Sequence, residues 1–122
     1  MELSQITKTL VSEIKLTEIQ AKIFLHIVIN GRMKTSQISS DLHIPLDEAT
    51  QNSKKLVELG GFIDMPDDEF EAMHPRFTAV NMYRKMCERE QKEFKKNLDI
   101  DNIGVALEVS YDDARTKYNK KK

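Results

Sequence analysis

The segment from residue 18 to residue 30 restricts the fold more than any other part of the sequence. Its apolar residues lie on most sides of a helix, and they are Ala21, Ile23, Phe24, Leu25, Ile27, Val28 and Ile29. A helix that is apolar around most of its circumference is normally buried by other elements. Thr17 and Gln20 have the spacing of a capping box, and Asn30-Gly31 is typical of a helix end. The sequence therefore predicts a buried central helix.

Two amphipathic segments flank this helix in the sequence. Apolar residues recur at helical spacing over residues 3 to 14, which indicates a first helix with one apolar face. After the central helix, Thr35 or Ser36 is placed to cap a short third helix that ends at Leu42. Both helices have apolar stripes, so we expect them to pack against the central helix.

A proline and a glycine pair mark the limits of a fourth helix. Pro45 disfavours helical geometry at the residue before it, and Asp47 is well placed to cap the helix that follows. This helix is predicted to end at Leu59, because Gly60-Gly61 comes next. Two short helices separated by a tight turn form a helix-turn-helix.

The second half of the chain is predicted to begin with a β-hairpin and to continue as helix. Residues 62–65 and 69–72 flank Pro66-Asp67-Asp68, which is a favourable turn sequence, so the hairpin has the position of a wing. Pro75 suits a first helical position, and a long helix is predicted from there to about Leu98. A last helix is predicted from residue 100 to 118, with a frayed tail at 119–122.

The predicted fold class is therefore mainly α with a small β-hairpin, namely a winged helix-turn-helix with a long C-terminal helix. We expect a winged helix-turn-helix domain over residues 1–75 and C-terminal helices over residues 76–118. A chain of 122 residues has the size of one domain.

Composition argues against several classes of protein. The longest apolar run is far shorter than the ~20 residues that span a bilayer, and the first residues lack the features of a signal peptide. We therefore expect a cytoplasmic protein without a membrane partner. The single cysteine and the three well-separated histidines predict neither a disulfide nor a metal site. No nucleophile beside a base and no phosphate-binding loop is recognisable, so we expect neither an enzyme nor a cofactor.

The charges are unevenly distributed along the chain. Residues 34 to 75 carry three basic and nine acidic groups, a net charge of −6. Residues 76 to 96 carry seven basic and three acidic groups, a net charge of +4. The helix-turn-helix and the wing are therefore acidic, whereas the long helix is basic.

Three segments resemble the TrmB-type winged helix-turn-helix regulators of archaea and, more distantly, the MarR-type regulators. Residues 16–25 are similar to the family pattern Leu-Thr-Glu-x-x-Ala-x-(Val/Ile)-Tyr-Leu, and residues 70–75 are similar to its Tyr-x-Ala-x-x-Pro. Ser36-Gln37-Ile38-Ser39 with Ile44-Pro45 is similar to its helix-turn-helix. The resemblance covers about residues 16 to 80 and implies a cytoplasmic homodimer that binds duplex DNA and regulates transcription.

The resemblance also implies which residues contact DNA. The groove-facing positions on the fourth helix would be Leu46, Glu48, Thr50, Gln51, Lys54 and Lys55. The positions on phosphates at the start of the third helix would be Lys34, Thr35, Ser36 and Gln37. Gln51 suits an adenine edge and Lys54 suits guanine.

The chain departs from the family pattern in two respects. Asp47 and Glu48 stand where relatives often have basic residues, and the wing tip carries three acids. Phosphate neutralisation supplies much of DNA affinity, so these acids oppose binding. Asn52 and Ser53 replace aliphatic residues, and a buried polar group without a partner costs about 1–3 kcal/mol. These departures leave open an alternative function, a protein-interaction module that docks a basic partner of the transcription machinery.

The C-terminal helices have a long apolar side that a compact monomer does not easily cover. The predicted dimerisation residues are Phe77, Val80, Tyr83, Met86, Cys87, Phe94, Leu98, Ile103, Leu107 and Tyr111. A homodimer through them is the preferred interpretation. Packing of the last helix back onto its own chain is the alternative.

Overall fold

The computed structural model describes residues 2–121, with side chains up to Lys117. This part of the chain is mainly helical with a small antiparallel sheet, an arrangement compatible with a winged helix. The helices are α1 (Leu3–Glu13), α2 (Glu18–Asn30), α3 (Thr35–Leu42), α4 (Leu46–Leu59), α5 (Pro75–Arg89) and α6 (Leu98–Lys121). The strands are β1 (Met33–Lys34), β2 (Ile63–Met65) and β3 (Glu69–Glu71).

Helix α2 lies at the centre of the core, as its composition predicts. Ile23, Phe24 and Val28 are completely buried, and α1, α4 and α6 all pack against this helix. The capping box is confirmed, because Gln20 N donates to Thr17 Oγ1 at 3.2 Å and Thr17 N donates to Gln20 Oε1 at 3.0 Å. The hydrophobic effect and local capping therefore favour the same element.

The sheet contains the predicted hairpin and one strand that the sequence does not indicate. Its strand order is β1-β3-β2, with Met33 opposite Phe70 and Ile63 opposite Glu71. Phe70 is buried, and its ring centroid lies 6.2 Å from that of Phe62. Strand β1 has only two residues, too few to show an alternating pattern.

Two of the predicted helix caps are wrong. Helix α4 begins at Leu46 after Pro45, so Asp47 lies in the first turn, where a negative charge interacts favourably with the helix dipole. Helix α3 begins at Thr35, and the capping position is Lys34. In both cases the chain enters the helix one or two residues earlier than side-chain capping preferences indicate.

The prediction of one long helix that reaches Leu98 is also wrong. Helix α5 ends at Arg89, Gln91 has a positive φ of 55°, and the chain reverses before α6 begins. Helix α6 then packs against α5, α2 and α1. The apolar stripe of α6 needs these partners, whereas residues 91–97 are mostly polar and gain little from continuing a helix.

This packing decides which apolar residues of the C-terminal helices remain accessible. Five of the predicted dimerisation residues are buried within the single chain, namely Met86, Cys87, Ile103, Leu107 and Tyr111. Phe77, Phe94 and Leu98 are exposed, and Val80 and Tyr83 are half-buried. The chain therefore adopts the alternative in which the last helix folds back on it, which leaves fewer of these residues for a second copy.

None of the helices within residues 2–121 combines the length and the apolar character needed to cross a membrane.

Candidate nucleic-acid interface

A tight turn holds α3 and α4 against each other. His43 takes the left-handed conformation with a φ of 55°, and Ile44 N donates to Ser39 O at 3.1 Å. Ser39 Oγ also donates to Ile44 O at 2.6 Å. Pro45, with its fixed φ, then occupies the N-cap position before α4. These contacts fix the direction in which α4 leaves the turn.

Helix α4 has one buried face and one exposed face. Ala49, Ser53 and Leu56 are completely buried against the core. The opposite face is polar apart from its first residue, and it carries five of the six predicted groove-facing residues in exposed positions: Leu46, Glu48, Gln51, Lys54 and Lys55. The sixth is Thr50, which is half-buried and donates its hydroxyl to Leu46 O at 2.9 Å.

The two lysines of this face differ in their environment. Lys55 Nζ lies 3.2 Å from Glu58 Oε2, and both side chains are exposed, so the ion pair contributes little to stability. Among the residues that the structure describes, no carboxylate forms a salt bridge with Lys54. Lys54 therefore presents its charge to solvent, and Lys55 has only a weak ion-pair partner.

The start of α3 exposes fewer of the predicted phosphate-contacting residues than the sequence indicates. Lys34, Ser36 and Gln37 are exposed, but Thr35 is buried. Thr35 N donates to Asp68 O at 3.2 Å, so the wing tip occupies this amide. The predicted phosphate contact at this end consequently depends on the other three residues.

A polar chain connects this region to α2. His26 Nε2 lies 2.7 Å from Asp41 Oδ2, and Gln37 Nε2 donates to Asp41 Oδ1 at 2.5 Å. The hydrogen bond from His26, followed by that from Gln37, holds the pKa of the Asp41 carboxyl below its usual range. Ionised Asp41 thus orients Gln37 at the exposed start of α3.

The wing ends in a tight acidic turn. Asp67 and Asp68 both have positive φ, 63° and 60°, and Glu69 N donates to Pro66 O at 3.4 Å, which describes a type I′ turn. Both aspartates are exposed. Arg32 Nε donates to Glu69 Oε1 at 2.5 Å, which joins the wing tip to the segment before β1. The third acid of the wing tip is therefore neutralised within the chain.

Helix α5 contacts the C-terminal end of α4. Asn81 Nδ2 donates to Gly60 O at 3.1 Å, and a Cβ built on Gly60 would lie 2.9 Å from Lys85 Cδ. Lys85 therefore packs over the C-terminal end of α4, whose dipole favours a positive charge. Arg84 instead pairs with Glu88 at 3.1 Å.

Asn52 and Ser53, the two polar residues of α4 that the sequence marks as unusual, differ in their hydrogen bonds. Asn52 Nδ2 donates to Glu48 O at 2.9 Å, and Asn52 Oδ1 accepts from Gln20 Nε2 at 3.4 Å. Ser53 is completely buried, and its hydroxyl has no hydrogen-bond partner among the residues that the structure describes. Such a group costs about 1–3 kcal/mol, so α4 is held in place less strongly than an apolar residue at 53 would allow.

Sequence reasoning missed the contacts that join distant segments. The Arg32–Glu69 and His26–Asp41 pairs link residues that are 37 and 15 positions apart, and no local motif indicates either. Among the residues described here, no group of three or more His, Cys, Asp or Glu side chains is arranged to hold a metal ion.

Comparison with known proteins gives no further assignment. No family model, no curated protein and no solved structure matches the chain.

Proposed function

We propose that the protein is a cytoplasmic, DNA-binding transcriptional regulator that acts as a homodimer and reads duplex DNA with α4. The observation that carries this proposal is the exposed face of α4, on which Gln51, Lys54 and Lys55 are accessible beside a short hairpin. An α-helix with a solvated polar face, such as α4, fits the width of the major groove. The resemblance to TrmB-type regulators supports the same helix as the one that reads bases.

The chemistry of this face suits both parts of DNA recognition. Gln51 can donate to and accept from an adenine edge, and Lys54 can donate to guanine O6 and N7. Lys34 and Ser36, at the start of α3, supply a charge and a hydroxyl for phosphates. The hairpin lies beside this end of α3, because Thr35 N donates to Asp68 O. The wing tip and the start of α3, with its candidate phosphate contacts, are therefore neighbours.

Salt dependence tests the proposal most directly. Binding to random-sequence duplex DNA should weaken steeply with added salt, because each phosphate that a lysine neutralises adds about −0.9 to the slope of log K against log salt. Fluorescence anisotropy at several salt concentrations measures that slope. A slope near zero, or no binding at low salt, would contradict the proposal.

A second candidate function is a protein-interaction module, and the wing tip favours it. Asp67 and Asp68 are exposed and adjacent. Asp64 on the same hairpin is also exposed, as are Asp47 and Glu48 at the start of α4. A surface with this charge attracts a basic segment of another protein and repels phosphate. The two candidate functions therefore predict opposite effects when the wing charge is removed.

Replacing Asp67 by Asn and Asp68 by Gly removes two charges and keeps the turn, because Asn-Gly is the preferred sequence of a type I′ turn. For the DNA-binding protein, affinity for duplex DNA should rise about threefold to tenfold, as repulsion of phosphate decreases. For the interaction module, affinity for a lysine-rich peptide should fall by a similar factor. Anisotropy titrations with both probes measure these changes, and Glu90→Gln with Glu93→Gln is a control of equal charge outside this face.

A further inference from the structure

The exposed face of α4 carries a straight row of four charged or polar residues. Asp47, Gln51, Lys54 and Glu58 are separated by four, three and four residues, so they are neighbours along one line of the helix. All four are exposed. We call these residues the α4 row. At about 100° of rotation per residue, the buried residues of α4 lie on the opposite side, so the α4 row is the middle of the exposed face.

Asp47 is the acid of the α4 row whose charge has no partner. Glu58 Oε2, at the other end of the row, lies 3.2 Å from Lys55 Nζ and is partly neutralised within α4. Among the residues that the structure describes, none forms a hydrogen bond or a salt bridge with the Asp47 carboxylate. It does not cap the helix either, because the capping position is Pro45. Its oxygens are therefore available to a ligand.

The helix dipole explains only part of this arrangement. Asp47 is the second residue of α4, where the dipole stabilises a negative charge. Asp99 has the equivalent position in α6 and is also exposed. The dipole thus accounts for an acid in the first turn, but not for its position in line with Gln51 and Lys54, the two residues proposed to contact bases.

A carboxylate on this face can bind only a base edge that donates a hydrogen bond. In the major groove the donors are cytosine N4 and adenine N6, whereas guanine and thymine present acceptors. Adenine also presents the acceptor N7 beside its amino group, which repels a carboxylate, so cytosine is the base that suits an acid. The N-terminal residues of a recognition helix contact the base edges. The short side chain of Asp47 is therefore placed where it can reach them.

From these observations we propose that Asp47 is a base-reading residue that selects cytosine in the duplex bound by α4. This role rests on the proposed function, and it adds a residue to the groove-facing positions that the resemblance implies. Repulsion between Asp47 and phosphate weakens binding to every sequence. The contact with cytosine N4 restores affinity at one position only. Asp47 therefore lowers overall affinity and raises sequence specificity.

The spacing of the α4 row predicts where the cytosine lies. Asp47 and Gln51 are about 6 Å apart along the helix axis, from four residues at about 1.5 Å each. Successive bases of one strand are about 3.4 Å apart. The cytosine should therefore lie about two base pairs from the adenine that suits Gln51.

Selection from a library of random-sequence duplexes, followed by sequencing of the bound pool, tests this role. The wild-type chain should enrich a site with cytosine at one position, and replacing that base pair should weaken binding about tenfold, as is typical of one mismatch. Asp47→Asn should prefer adenine at the same position, because an amide pairs with adenine N6 and N7. Asp47→Ala should have no preference there.

The same two variants should bind random-sequence duplex DNA about twofold to threefold more tightly than the wild type at low salt, because a charge that repels phosphate is lost. A purely structural role of Asp47 would instead change binding to every sequence in the same direction. Asp99→Asn is the matched control, since it removes the same charge from the second residue of α6 and should leave the base preference unchanged. Circular dichroism of each variant checks that it is folded.

The outcomes separate this role from DNA binding itself. If the wild-type chain enriches a site and folded Asp47→Asn selects the same bases, Asp47 does not read a base, and the proposed function is unaffected. Salt-dependent binding by the wild-type chain without enrichment of any sequence would also exclude base reading by Asp47. If the wild-type chain does not bind duplex DNA at low salt, the proposed function fails together with this role.

Discussion

Replacing Lys54 and Lys55 together by alanine should reduce affinity for duplex DNA by about a hundredfold at low salt. A lysine that contacts a base or a phosphate contributes on the order of 1–3 kcal/mol, and 1.4 kcal/mol corresponds to a factor of ten. The local charge strengthens this expectation. The face around α4 has few basic residues and many exposed acids, so the loss of two positive charges leaves phosphate with mainly repulsive neighbours.

The double variant should also have a smaller salt slope, lower by about one to two, because fewer counterions are released on binding. Anisotropy at several salt concentrations gives the affinity and the slope from the same titrations. Lys8→Ala with Lys22→Ala is the matched control, since it changes the net charge equally and both lysines are exposed on α1 and α2. Equal losses in both double variants would indicate that binding responds to net charge and not to α4.

The two lysines are sufficiently exposed for this experiment to report on binding and not on folding. Lys55 has one weak partner, Glu58, and no salt bridge with a described residue holds Lys54. Alanine also has a higher helix propensity than lysine, so α4 should remain folded. An unchanged melting temperature in the Lys54→Ala, Lys55→Ala chain checks this point.

The sequence predicts the parts of this fold that depend on neighbouring residues. Helix α2 is an example, because its capping box, its apolar composition and its terminal glycine all act within fifteen residues. The exposed face of α4 follows for the same reason, since helical spacing places Gln51, Lys54 and Lys55 away from Ala49 and Leu56. Local signals therefore suffice for the position of these elements and for which face of α4 is accessible.

The parts of the structure that the sequence does not predict depend on contacts between distant segments. Helix α5 ends at Arg89 and α6 docks on it, although Phe94 and Leu98 keep a helical spacing beyond that residue. Thr35 is buried because the wing returns to α3, which the third helix alone does not reveal. The buried hydroxyl of Ser53 is a further example, because neighbouring helices determine whether it has a hydrogen-bond partner.

At Gly104, local helix propensity and a contact with a distant segment have opposite effects. Replacement of Gly104 by alanine should destabilise the chain. On helix propensity alone, alanine is better than glycine by about 1 kcal/mol in a helix interior. In this fold, however, a Cβ at residue 104 would lie 2.6 Å from Arg76 Cα and 3.1 Å from Arg76 N. Both are backbone atoms of α5, so a side-chain rotation cannot relieve the overlap, and α5 has to move away from α6.

Overpacking of this kind costs about 1–3 kcal/mol, which exceeds the gain in helix propensity. We therefore expect Gly104→Ala to lower the free energy of unfolding by about 1–2 kcal/mol and the melting temperature by several degrees. Urea denaturation followed by circular dichroism measures the change. Thr116→Ala is the control, because Thr116 is exposed on the same helix and its replacement should be neutral or slightly stabilising. A Gly104→Ala chain more stable than the wild type would mean that helix propensity outweighs the contact, and that α5 does not rest on α6 at this residue.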